Sequence, residues 1–148
     1  YALGRIADPP AAVLKVLRAE LKGNERYAAI EALRALGPAA EPMLPDLFAR
    51  LETAGYDITG AILAVGPVAH ERLAAFIDGP ESPAINIVLE YLWRAGTTIP
   101  LLVPPLGRLF RRASDVQKRV AVLNAVRGIG SGTPEAIELF LDVLEESN

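Results

Sequence analysis

The sequence predicts an all-α fold, an α-solenoid of about five antiparallel helix pairs. Three observations predict it. First, one short phrase returns five times along the chain: Ala2-Leu3-x-x-Ile6-Ala7, Ala32-Leu33-x-x-Leu36-Gly37, Ala61-Ile62-x-x-Val65-Gly66, Tyr91-Leu92-x-x-Ala95-Gly96 and Ala125-Val126-x-x-Ile129-Gly130. The phrases close at 7, 37, 66, 96 and 130, so the steps are 30, 29, 30 and 34 residues. A period of that size marks stacked helical repeats, each too small to bury its own apolar face. Second, apolar residues recur at fixed distances behind each phrase. Seven residues on stand Leu14, Leu44, Leu73, Val103 and Ile137, and ten on stand Leu17, Leu47, Phe76, Leu106 and Phe140. Fourteen on stand Leu21, Leu51, Pro80, Phe110 and Leu144. These spacings share one side of an α-helix, and only Pro80 breaks the columns. Third, no segment alternates with period two. The best strand candidate, Thr97-Thr98-Ile99, runs straight into Pro100.

The repeats follow in order, approximately 1–24, 25–55, 56–80, 81–113 and 114–148, as one domain. In the first, a helix opens at Asp8-Pro9-Pro10, because proline is favourable where its missing N–H has no partner to lose. In the second, Gly37-Pro38 ends one helix and starts the next. The third is the shortest and stops at Asp78-Gly79-Pro80. Ser82 caps the fourth, with Pro83 at its first helical position. There the pair Pro104-Pro105 should delay or kink the second helix. In the fifth, Asp115 and Thr133 are the caps, and Gly128-Ile129-Gly130-Ser131-Gly132 reads as a loose turn. A small residue stands five before most phrase ends (Ala2, Ala32, Ala61, Ala125) and lets paired helices approach. Tyr91 holds that place in the fourth repeat, which should therefore be splayed or repacked.

The run Ala32-Leu33-Arg34-Ala35-Leu36-Gly37-Pro38-Ala39-Ala40, followed by Pro45-Asp46-Leu47-Phe48-Ala49-Arg50-Leu51, resembles a HEAT repeat. More narrowly, it is similar to the short HEAT-like units of bacterial proteins and phycobilin lyases. The resemblance covers nearly the whole chain. It departs at Ala7, where glycine is usual, and around Tyr91, Trp93 and the proline pair. It implies a right-handed superhelix and a protein-binding scaffold, and it implies no activity. The chain opens at Tyr1, with only half of a first helix, and reads as part of a longer protein.

Composition narrows the function classes. Hydrophobic residues make up 51% and charged residues 22%, the balance of a packed chain. The absence of cysteine excludes disulfides, thiol catalysis and thiolate metal sites. No apolar run approaches the ~18 residues that membrane insertion requires. A net charge of −3 argues against a nucleic-acid partner. The charge is nevertheless blocky: residues 91–119 carry six basic groups and one acidic, inside an otherwise acidic chain.

Candidate sites are few. The only histidine adjoins Glu71 at a helix start, and a metal needs three or more ligands, so no metal or other cofactor is expected. Positions 8, 12 and 15 behind each phrase should line a concave face. They place Lys15 and Lys22 in the first repeat, Arg108 and Arg111 in the fourth, and Asp142 and Glu145 in the fifth. Arg108, Arg111 and Arg112 form the one basic cluster. Either acidic neighbours in the fifth repeat neutralise it, or it docks an acidic segment of a protein partner through guanidinium forks. Trp93 lies about 150° from the centre of the core stripe. It is either exposed beside Leu63 on a convex face, as a binding anchor, or folded over a groove made by Tyr91 and the proline pair. The acidic last helix reads as a solubilising cap. The function expected is a non-catalytic protein–protein interaction scaffold. The alternatives are a HEAT-like enzyme or chromophore-lyase subunit, and a structural spacer.

Overall fold

Glycine and proline punctuate a chain that is otherwise helix-forming, and helices fill the intervals. The computed structural model describes residues 11–148. Ala2, Ile6, Ala7 and the Asp8-Pro9-Pro10 helix start lie outside the described residues. Among the described residues there are nine α-helices and no strand. They are α1 (Ala11–Glu20), α2 (Arg26–Leu36), α3 (Leu44–Ala49), α4 (Leu51–Val65), α5 (Pro67–Asp78), α6 (Pro83–Ala95), α7 (Val103–Arg112), α8 (Val116–Gly130) and α9 (Pro134–Glu146). Two stretches of 3-10 helix, Gly37–Met43 and Pro100–Leu102, precede α3 and α7. The chain forms two compact units, up to Ala69 and from His70.

In the first unit α2 packs on α4, α1 on α2, and α3 on α4. Helix α2 stops because Gly37 takes φ 58°, a left-handed angle that an L side chain avoids, and its N–H closes on the carbonyls of Leu33 and Arg34. Gly55, at φ 53° and ψ −118°, breaks α4 internally. The core comprises Leu17, Leu21, Ala29, Ile30, Leu33, Met43, Leu44, Leu47, Leu51, Ile58, Ala61 and Ile62. Among the described residues Thr59 is the one buried polar side chain, and its hydroxyl donates to the Gly55 carbonyl across the break.

In the second unit α6 packs along α8, and α7 packs on both α8 and α9. The three expected caps form. Ser82 Oγ accepts from the Ala84 N–H, Asp115 accepts from Gln117 and Lys118, and Thr133 Oγ1 accepts from Ala136. The proline pair delays α7 to Val103, seven residues past Gly96, so both prolines fall in its first turn, where no N–H is needed. Thr97-Thr98-Ile99 forms no strand. Ile99 instead donates one backbone hydrogen bond, 2.8 Å, to the Ile129 carbonyl near the end of α8.

Three expectations need correction. The glycines at 128–132 are not a loose turn. α8 continues through Gly130, and only Ser131 and Gly132 turn the chain. A Cβ on Gly128 would stand 2.5 Å from the Trp93 carbonyl oxygen and closer still to that of Leu92. Gly128 therefore lets α6 and α8 meet backbone to backbone. In the fourth repeat the Tyr91 side chain is half-buried, and α6 packs chiefly on α8. Second, the apolar columns fail in α9. Ile137 and Leu144 are exposed, while Ala136 and Leu139 are buried, because the inward face of α9 is rotated towards α7 and α8. Third, Phe76 and Phe140 are only half-buried.

Candidate functional site

Opposite charges one repeat apart in sequence meet in space, and this decides the fate of the basic cluster. Arg108 forms a two-pronged pair with Asp78, Nε to Oδ1 at 2.8 Å and Nη2 to Oδ2 at 2.7 Å, across 30 residues. Arg111 reaches Asp142 at 2.9 Å across 31 residues. Arg112 donates to the carbonyls of Ile77, Asp78 and Gly79, where α5 ends. Those carbonyls have no partner within the helix, and a guanidinium satisfies them. Lys118, largely covered, pairs with Glu81. In the first unit Arg18 pairs with Asp46 at 3.0 Å across 28 residues. Lys15 and Lys22 stand exposed on and just beyond α1 and make no ion pair among the described residues.

These pairs tie neighbouring repeats together. The Arg108 fork holds the Asp78 carboxyl below its usual pKa, mainly through its hydrogen bond and further through the positive charge of Arg108 and Arg112, against a smaller opposing effect of burial. A carboxylate with a lowered folded pKa adds stability that is complete above its unfolded value, about 3.9, and that is lost as pH falls through the lower folded value. Asp78→Asn should therefore flatten the fall in stability below about pH 4, read as denaturant midpoints between neutral and acid pH. An unchanged acid limb in the variant would remove Asp78 from the account. Burial pushes the Lys118 ammonium below its usual value.

A polar hollow of about 630 Å³ beside this joint is lined by Glu81, Arg112, Asp115, Gln117 and Lys118 among others. Its charged groups already have partners: Lys118 holds Glu81, Arg112 holds the end of α5, and Asp115 caps α8. Among the described residues no buried side-chain nitrogen or oxygen lacks a partner, and no group of three or more His, Asp or Glu is placed to hold a metal ion. No helix among them is long and apolar enough to cross a membrane. His70 lies half-buried in the first turn of α5, beside exposed Glu71.

Trp93 is 43% exposed. The groove it lines includes neither Tyr91 nor Pro104 and Pro105. Trp93 stands at the mouth of this groove of about 240 Å³ between α6 and α8, together with Asn86, Glu90, Gln117, Val120 and Asn124. The Arg94 guanidinium lies 5.3 Å from its ring centroid. Val116 and Val120, one turn apart on α8, are also exposed. Leu63 is half-buried on α4, in the first unit. Sequence reasoning placed Trp93 but missed the amides around it. Their signal was present: Asn86 and Trp93 are seven residues apart, as are Gln117 and Asn124, so each pair shares a helix face.

Compared with known proteins, the chain matches no family model, no curated protein and no solved structure.

Proposed function

We propose that this chain is a non-catalytic protein-binding module, a stretch of HEAT-like α-solenoid that takes an extended peptide segment of a partner in the α6–α8 groove. The carrying observation is the exposed Trp93 ring, set in a groove that also holds the amides of Asn86, Gln117 and Asn124, with Glu90 and Val120 beside them. A primary amide offers a donor and an acceptor together, matching the N–H and C=O of a peptide unit. A partly exposed tryptophan supplies a large apolar anchor at low entropy cost. The solenoid reading is supported by like helices packing on like, α2 on α4, α6 on α8 and α7 on α9. The acidic-partner reading of Arg108 and Arg111 loses force, because both guanidiniums already hold carboxylates within the chain.

Trp93 is the only tryptophan, so its emission reports the groove alone. A random peptide library selected against the protein should yield binders that shift this emission. Trp93→Ala should weaken them about thirtyfold, the loss of one anchor residue of about 2 kcal/mol. Binders that ignore Trp93→Ala and leave the emission unmoved would place the site elsewhere.

A further inference from the structure

Helix α9 exposes Ile137 at 51%, Leu141 at 55% and Leu144 at 63%. These stand at i, i+4 and i+7 and form one stripe. The repeat itself shows what such a face meets. Counted from the phrase ends, Leu141 and Glu145 hold the places that Gly107 and Arg111 hold one repeat earlier. In α7 that face is covered by the next repeat: a Cβ on Gly107 would lie 3.5 Å from Leu139, and Arg111 pairs with Asp142. The places of Leu139 and Asp142 in the first repeat belong to Val16 and Ala19, on α1. Val16 is 49% exposed and Ala19 is exposed. α9 and α1 thus present the two halves of one packing pattern.

Charge agrees. α9 carries Glu135, Glu138, Asp142, Glu145 and Glu146 with no cation. α1 and the turn after it present Lys15 and Lys22, which have no ion-pair partner among the described residues, both within one turn of Ala19. Two copies of α9 facing each other would repel, whereas α9 facing α1 attracts.

We infer that the α9 face of one molecule docks on the α1 face of a second copy, with Leu141 against Val16 and Glu138 and Glu145 beside Lys15 and Lys22. The contact repeats the α7–α9 packing between molecules. It joins unlike surfaces, so each molecule offers one face of each kind to its neighbours. It is independent of the α6–α8 groove.

A charge swap read by sedimentation velocity at low salt tests it. The wild-type mass should rise with concentration. Leu141→Glu should shift that rise to at least tenfold higher concentration. Lys15→Glu with Lys22→Glu should abolish association, because acidic α1 then meets acidic α9. Glu138→Lys with Glu145→Lys should abolish it too, because basic then meets basic. Mixing the two charge variants should restore it, since each offers the complement of the other, and recovery also shows that both are folded. Trp93→Ala should associate like wild type. A wild type that stays monomeric at millimolar concentration overturns the inference. So does association that survives the Lys15/Lys22 reversal, as α9–α9 pairing would, or that disappears with Trp93→Ala. So does a mixture of folded charge variants that remains monomeric.

Discussion

Gly128→Ala should destabilise the protein by about 3 kcal/mol or more, at or above the upper end of ordinary overpacking. The added methyl carbon would meet the Trp93 carbonyl oxygen at 2.5 Å and its carbon at 2.7 Å, with the Leu92 oxygen nearer still. These are backbone atoms of α6, so no side chain can rotate aside. Relief requires α6 and α8 to separate, and that contact is the most extensive between helices in the second unit. Helix propensity opposes the effect, since alanine is favoured over glycine inside a helix by up to about 1 kcal/mol. The packing penalty exceeds this. Gly107→Ala is the matched control: it is also inside a helix, but its new Cβ would find Leu139 at an ordinary 3.5 Å. That substitution should be neutral or mildly stabilising. Urea melts of the two variants decide the matter, and a Gly128→Ala protein as stable as wild type would mean that α6 and α8 do not meet there.

Gly128 also marks the limit of sequence reading. Gly37, Gly66 and Gly96 were legible as helix stops because their role is local: each takes a positive φ directly after its helix. Ser82, Asp115 and Thr133 were legible as caps for the same reason, since cap and capped N–H are two or three residues apart. Gly128 looks identical in sequence, yet its role is set by α6, more than thirty residues away. The basic cluster is an intermediate case. Asp78 and Arg108 occupy the same place, twelve after the phrase end, in successive repeats. The alternation of sign along that column was visible. Read as neighbours and not as a binding groove, it points to the Asp78–Arg108 pair at 30 residues, whereas Arg18–Asp46 and Arg111–Asp142 join different columns. In the candidate groove, the angle of Trp93 to the core stripe left two readings open, exposed or folded over, and its 43% exposure is a finding of the fold. The amides were not legible, because only the pairing of α6 with α8 brings Asn86 and Asn124 to one site.

Three leucines of the same periodic pattern should part company on truncation. Leu47 and Leu106 stand ten residues behind their phrases, are fully buried, and lie on α3 and α7. Removing most of either side chain forfeits its transfer free energy and leaves a cavity that the surrounding helices cannot fully close. Leu47→Ala and Leu106→Ala should each cost about 2–5 kcal/mol. Leu144 belongs to the column of Leu21 and Leu51, yet it is 63% exposed where they are buried. Periodicity alone assigns it the same cost. Its exposure assigns Leu144→Ala no more than about 0.5 kcal/mol. The difference lies in the partner: Leu21 and Leu51 are covered, whereas α9 turns Leu139 inward and leaves Leu144 in water. Melts should be run at low micromolar concentration, where head-to-tail contacts through α9 would not add their own stabilisation. A Leu144→Ala cost equal to that of Leu106→Ala under those conditions would show that the α9 face is buried within the single molecule, and the docking argument built on its exposure would fall with it.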